Sequence, residues 1–434
     1  MSIIIAILVF GIIILVHELG HYFAARKVGI LVEEFAIGMG PKIFSVTKDD
    51  TMYSLRLLPL GGYCKMLGED EGNFDPRAFN SKTVGQRAFT LSMGVVLNLV
   101  LAFVIFTLLA LFFGYTTPEI SGFTPNSNAE VSSLQPGDVI TRVGGSRVTS
   151  SGHVAIAFND AGGRPVDIQV RRGRETIITT VAPTQLPQRY ILGVTLAAGQ
   201  NDTQISGFAA NNSPAAAAGL LPGDIITQIE NFRISNFTDL AAALSEFGSN
   251  PVTIQVLRGE STFATSITPI LQPPTYTMGI ALKEYGGFYN NSIPMGNIWG
   301  HFANGFWQIL FWVELTVIGV IRLFTFRLSP EELGGPIMIV AVMNEAYTVT
   351  IAQGISTAIR TMATYMAIIS ANLGVMNLLP IPALDGGRLV FLGIEKIRRK
   401  PVPPEREGLV HLIGFAALIG FAIFIAFNDI QNLL

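Results

Sequence analysis

The first apolar stretch of this chain, roughly residues 2–25, is long enough to cross about 30 Å of hydrocarbon, yet it contains His17-Glu18-Leu19-Gly20-His21. Two imidazoles four positions apart fall on one face of a helix, where both can bind one metal ion. The carboxylate beside them can take a proton from a metal-activated water, the arrangement of a zinc hydrolase. An ionisable group at mid-bilayer costs about 2.5–3.5 kcal/mol even on the lenient insertion scale, so its presence there points to function. The bland alternative is a pair of histidines held by structural hydrogen bonds.

Half of the 434 residues are hydrophobic and only 14% are charged, as in a membrane protein. A net charge of −3 gives no case for a nucleic-acid surface, and the single cysteine, Cys64, excludes an internal disulfide framework and a cysteine zinc cluster. The N-terminal stretch lacks a basic leader and a small-residue cleavage site, so it reads as a retained span. Three further stretches, roughly 88–113, 358–379 and 408–427, have the length of a span. Arg26, Lys27, Lys82 and Arg87 lie between the first two spans, and Lys396, Arg398, Arg399, Lys400 and Arg406 lie between the last two. The positive-inside rule makes those loops cytoplasmic, and both termini and residues 114–350 external. Residues 305–323 are also apolar, but Gln308, Glu314 and Arg322 and the resulting topology favour a helix lying in the interface.

The external insert is a repeat. Leu134-Gln135-Pro136-Gly137-Asp138-Val139-Ile140 returns as Leu221-Pro222-Gly223-Asp224-Ile225-Ile226. Ile168-Gln169-Val170 with Arg172-Gly173 returns as Ile254-Gln255-Val256 with Arg258-Gly259, and Tyr190–Val194 returns as Tyr276–Ile280, all at one displacement. Each copy has the size of a small domain of short strands and one helix, resembling circularly permuted bacterial PDZ domains. Between the first two spans, Tyr53–Met66 carries strand-like runs around Pro59-Leu60-Gly61-Gly62, which reads as a β-hairpin dipping towards the motif with one open edge. Gly38-Met39-Gly40-Pro41 reads as a turn, and nothing supports a nucleotide site.

Catalytic zinc needs a third protein ligand and an open position. Of the other histidines, His153 falls in the external repeat and His301 near the outer interface, while His411, at the start of the last span, stays a candidate. Asp385, in Asn377-Leu378-Leu379-Pro380-Ile381-Pro382-Ala383-Leu384-Asp385-Gly386-Gly387-Arg388, is the better one, because its depth in the membrane matches that of His17 and His21. A carboxylate in such a turn can equally cap the following helix. The two prolines end the third span, and Gly386-Gly387 reads as a pair that lets the backbone turn.

His-Glu-Leu-Gly-His in the first span, Leu-Asp-Gly after the third, Gly-Gly-Tyr-Cys-Lys-Met in the hairpin and Glu332-Leu333-Gly334-Gly335-Pro336 together resemble the site-2 protease family, over essentially the whole chain. Within it the likeness is to the bacterial regulator-of-sigma-E protease group. The resemblance implies a polytopic α-helical membrane protein with four transmembrane helices, a membrane-reentrant β-hairpin and two tandem PDZ-like α+β domains. Its expected divisions are 1–27 with the first span, 28–87 with the hairpin, 88–114 the second span, 115–202 and 203–290 the PDZ-like domains, 291–351 interfacial helices, 352–399 the third span and 400–434 the fourth. It implies one Zn²⁺ on His17, His21 and Asp385, with Glu18 as general base. Asn377 is implied to position substrate or an oxyanion, Pro380 and Pro382 to shape the groove, and the hairpin residues Leu55, Leu57, Gly61, Gly62 and Tyr63 to bind substrate. Where relatives carry valine, Cys64 reads as a small apolar filler.

The implied activity is cleavage of the transmembrane segments of single-span, type II, anti-sigma-factor-like proteins within the inner membrane, once another protease has trimmed their outer domain. The implied partners are such substrates and membrane lipid, with no nucleotide or nucleic acid. The alternative is a non-enzymatic scaffold that binds envelope peptides through its PDZ-like domains. Within the protease reading, those domains either capture new C-termini or act as a size filter, and the degenerate carboxylate loops favour the filter.

Overall fold

The computed structural model describes residues 2–69, 73–186, 188–196, 203–208, 213–273, 275–289, 293–325 and 334–433. Glu332 and Leu333 of the last motif lie outside them. The chain forms two compact units, one built from residues 1–112, 297–344 and 362–434, the other from 113–296 and 345–361.

The first unit is helical. Helix α1 (Ser2–Val28) ends on Arg26 and Lys27, which complement the negative end of its dipole. It packs against α2 (Val84–Phe113) with little room between the backbones: a Cβ on Gly20 would lie 2.8 Å from Gly94 Cα. Helix α8 (Ile355–Leu378) runs antiparallel to α2. Its Ala367 and Ala371 join Ala102 and Phe106 in one buried cluster, and Ser370 donates to the Asn98 carbonyl at 2.8 Å. The chain then continues through α9 (Asp385–Arg398) and α10 (Pro404–Leu433).

Among the described residues, four helical segments are long and apolar enough to cross a membrane: Ile4–Val28, Val84–Phe113, Ile298–Phe324 and Glu405–Gln431. The set departs from expectation at two places. Helix α6 (Ile298–Phe324), expected in the interface, qualifies because Gln308, Glu314 and Arg322 are spread over 27 residues. Helix α8, expected as the third span, is not in the set, since Arg360, Asn372 and Asn377 dilute its apolar run. Its asparagines are turned inward: Thr316 of α6 donates to Asn372 at 2.6 Å, and Asn377 faces His17. Helix α7 (Pro336–Ala352) precedes it.

The hairpin is larger than Tyr53–Met66. Its strands β1 (Val32–Lys48) and β2 (Thr51–Met66) pair twice, so that Phe35 faces both Cys64 and Tyr53 while Val46 faces Tyr53 from the other side. The lateral order is therefore 44–48, 51–55, 34–37 and 62–65, with 62–65 at one edge. Gly38 and Gly40 take φ of +86° and +84° in the crossover, as the Gly-Met-Gly-Pro turn requires. The inner end of the sheet buries Val32, Phe35, Cys64 and Met66 with Ala25 and Leu91, while Ile43, Phe44, Val46 and Leu57 stay exposed. Cys64 is thus the apolar filler expected of it.

In the second unit the repeats form two cores, one centred on Ile120, Ile140, Ile168 and Met278, the other on Leu192, Ile226, Ile254 and Leu244. Each has one long helix, α3 (Ser151–Ala161) in the first and α5 (Phe237–Phe247) in the second, which also carries the single turn α4 (Pro214–Ala217). Strand Ile280–Tyr285 pairs with Tyr115–Phe123, closing the first sheet after the second core has been built. The second domain is therefore nested in the first, and the expected division at 202/203 cuts both cores. The reason is the permutation: Leu192 of the Tyr190 block packs in the second core and Met278 of the Tyr276 block in the first, so the block that completes the first core comes last in sequence.

Both copies are wired identically. Asp138 and Asp224, each 1% exposed, take two hydrogen bonds from Arg172 and Arg258 respectively, at 2.7–2.8 Å. Each also accepts the backbone N–H three residues earlier, from Gln135 and Leu221, at 2.9 Å. The Arg172 hydrogen bond lowers the Asp138 carboxyl below its ordinary range, against its burial. At Asp224 burial raises the pKa, and the bonds from Arg258 and Leu221 outweigh it, so the net shift is also down. The stabilisation that a lowered folded-state pKa gives is fully present above the unfolded value of about 3.9, and it is lost as pH falls from there through the lower folded-state value. Two outcomes are expected in detergent-solubilised protein. Proteolytic nicking within 115–285 should rise steeply below about pH 4, and Asp224→Ala should lower the stability of the second domain by about 1–3 kcal/mol at pH 7, read as the urea concentration that admits the protease.

Candidate active site

His17 and His21 lie on one face of α1, each 6% exposed, and Asp385 is the first residue of α9. The Nε2 atoms of the two histidines are 3.2 Å apart, and Asp385 Oδ2 stands 3.2 Å from His17 Nε2 and 3.3 Å from His21 Nε2. Zinc bonds of about 2.0–2.1 Å at tetrahedral angles put neighbouring donors about 3.3–3.4 Å apart, so this near-equilateral triangle is one face of such a site. Oδ2 is buried with no other hydrogen-bond partner. Two imidazoles and a carboxylate form a donor set that suits zinc, and they are the one His/Cys/Asp/Glu cluster of this kind among the described residues.

The other ring nitrogens fix the tautomers. His21 Nδ1 lies 3.0 Å from the Thr90 carbonyl, which only accepts, so Nδ1 carries the proton and Nε2 presents its lone pair to the centre. His17 Nδ1 meets the amide of Asn98, fully buried in α2, at 3.3 Å. The amide atom placed there is Nδ2, while Asn98 Oδ1 is buried with no partner; exchanging the two amide atoms pairs Oδ1 with His17 Nδ1–H and gives His17 the same tautomer. Gly94 lets α2 approach: a Cβ there would lie 2.5 Å from His21 Nε2 and 2.8 Å from His17 Nε2. Sequence reasoning missed Thr90, Gly94 and Asn98. The available signal was Gly94-x-x-x-Asn98, a polar side chain in the middle of an otherwise apolar span.

Glu18 lines a cavity of about 240 Å³ with His17, Asn377, Leu384 and Asp385. It is not among the three clustered donors, which leaves its carboxylate for proton transfer. Asn377 Nδ2 reaches to 3.3 Å from His17 Nε2 and is thus beside the centre. The edge strand of the β-sheet comes up to the same place: a Cβ on Gly62 would meet Glu18 Cγ at 3.7 Å and the Ala36 carbonyl oxygen at 2.8 Å, so only glycine fits.

The remaining expected residues are less direct. Gly61, Gly62 and Tyr63 are on that edge strand, but the Tyr63 ring turns to the Arg56 guanidinium, 5.2 Å from its centroid. Leu55 is paired on both sides within the sheet and Leu57 is solvent- or lipid-facing. Pro380 is exposed, and Pro382 packs against Gly414. Gly386 and Gly387 have no positive φ. They are required by close approach, since a Cβ on Gly387 would lie 2.9 Å from the Ile381 carbonyl carbon. His153 bonds to Ser150 at 3.1 Å in the repeat, and His411 hydrogen-bonds the loop before Asp385 instead of joining the donors.

The model of peptidase family M50 matches residues 5–421. Zinc metalloprotease RasP of Shouchella clausii is 30% identical, with 98% of each chain covered, and RasP of Geobacillus kaustophilus is 31% identical over 99% of this chain and 98% of its own. The protein named "Probable protease eep" of Enterococcus faecalis is 35% identical over 99% of both chains. Among solved structures, the HtrA3 PDZ domain bound to a phage-derived ligand covers 22% of this chain and 95% of its own at 21% identity and a TM-score of 0.17. The chain belongs to peptidase family M50, the site-2 proteases, and is an intramembrane zinc metalloprotease.

Proposed function

We propose that this protein hydrolyses peptide bonds within the transmembrane segments of single-span, type II membrane proteins after another protease has trimmed their outer domain, as in regulated intramembrane proteolysis of an anti-sigma factor. The observation that carries this reading is the His17–His21–Asp385 triangle, with Glu18 beside it, of which His17, Glu18 and His21 lie on a helix apolar and long enough to cross a membrane. The location is the bacterial inner membrane, with both termini and the PDZ-like domains on the outer side. Because α8 is antiparallel to α2, an even number of crossings separates them. Helix α6 therefore crosses only together with the shorter α7, and the interfacial reading of both is retained.

His17, His21 and Asp385 would hold the zinc ion, which when bound supplies a Lewis acid that polarises the scissile carbonyl and activates water. Glu18 takes a proton from the attacking water at its carboxylate and returns it to the leaving amine. The Asn377 amide, beside His17, donates to the oxygen on which negative charge develops. A helical substrate has its carbonyls bonded internally and must unwind first. Strand 62–65 offers an edge for the unwound segment beside Glu18, replacing part of the lost hydrogen bonding where water is scarce.

The decisive assay is cleavage of a single-span protein with its N-terminus inside and its outer domain removed. Glu18→Gln should lower the rate at least about 100-fold while zinc content stays at one per chain, because Glu18 is a base and not a donor. Equal cleavage by both forms would remove Glu18 from the chemistry. The PDZ-like domains act as a size filter in this reading. Replacing residues 115–285 by a short linker should then allow cleavage of untrimmed substrates, whereas loss of all cleavage would make the domains receptors.

A further inference from the structure

The loop that delivers Asp385 is not held by its own backbone preferences. Leu384 N–H donates to the Ile381 carbonyl at 3.2 Å, closing a turn with Pro382 and Ala383 at its centre, and Ala383 has φ of +76°. That is a type II turn, whose third position favours glycine, and an L-residue there is strained by about 1–2 kcal/mol. The N–H of the third residue takes no part in the turn's own hydrogen bond. Here it donates to His411 Nδ1 of α10 at 2.8 Å. One turn further along the same face, Gly414 meets the neighbouring turn residue: an added Cβ would lie 2.9 Å from the Pro382 oxygen and 3.0 Å from its carbonyl carbon. The His411 ring also lies 5.5 Å, centroid to centroid, from Phe391 of α9, and its Nε2 faces Glu407 at 3.9 Å, which suits the tautomer that leaves Nδ1 free to accept.

We propose that His411 is a positioning residue for the metal ligand Asp385: by accepting the Ala383 N–H it locks the strained turn and so fixes where α9 begins. Two residues separate the locked N–H from the ligand, and a displacement of about 0.5 Å is enough to spoil a coordination geometry. The helix after the loop thus has a task at the active site besides anchoring. This inference rests on the reading that Asp385 holds zinc.

The test uses the full-length, zinc-loaded protein and compares His411→Asn, which keeps an acceptor near the position of Nδ1, with His411→Gln and His411→Leu, which do not. Zinc loss to a competing chelator is measured beside kcat and KM. The Gln and Leu variants should release zinc about 10–100-fold more readily and lose kcat with little change in KM, and Asn should restore both. Adding Ala383→Gly, which removes the strain, should recover part of the zinc retention of His411→Leu. If Leu destabilises the fold, the Asn and Gln pair still decides the matter. Wild-type retention by all variants, or an Asn variant as leaky as Leu, would overturn the proposal. Asp385→Asn is the control: if it too keeps wild-type zinc affinity, the ligand reading itself fails, whereas zinc loss there with none in the His411 series overturns only the brace.

Discussion

Everything in the helical unit answers one cost, that of placing two imidazoles and two carboxylates where water is scarce. In hydrocarbon no polar group can borrow a solvent partner, so each must find one within the protein. The histidine Nδ1 atoms meet Thr90 and Asn98, and their Nε2 atoms converge on Asp385 Oδ2. Asn98 in turn uses its carbonyl to receive Ser370 of α8. A zinc ion completes the logic, because it accepts the three converging lone pairs that would otherwise face each other unpaired.

The same cost dictates the packing. Helices can satisfy one another's polar groups only at short range, and short range requires small residues. Gly20 against Gly94, and Gly94 beneath both imidazoles, bring α1 and α2 into that contact. Gly386 and Gly387 do the same for the start of α9, and Gly414 for α10. The glycines packed between the helices act through the space they leave, whereas Gly38, Gly40 and Gly61 of the sheet supply unusual backbone angles.

What the sequence made legible was short-range or periodic. The four-residue spacing of His17 and His21 fixes a shared helix face, and the single displacement relating the repeats announces two copies of one domain. Depth in the membrane favours Asp385 as the third ligand but leaves His411, at the start of the last span, a candidate. What stayed hidden depends on distant partners. Strand β1 carries no uninterrupted strand-like run, because Gly38, Gly40 and Pro41 break it, and its double pairing with β2 is what makes it a strand. The nesting of the domains, Asn98 behind His17 and the inward-facing asparagines of α8 are all contacts between segments far apart in sequence. A hydropathy profile treats Asn372 and Asn377 as exposed to lipid, whereas Thr316 and His17 cover them.

The central claim is that His17, His21 and Asp385 are the protein ligands of zinc. X-ray absorption at the zinc edge of the purified protein tests it most directly. The expected spectrum has only nitrogen and oxygen neighbours at about 2.0–2.1 Å, with the outer-shell signature of two imidazoles, and Asp385→Asn loses bound zinc. A sulfur neighbour at about 2.3 Å, which only Cys64 or a methionine could supply, or a single imidazole, would contradict it.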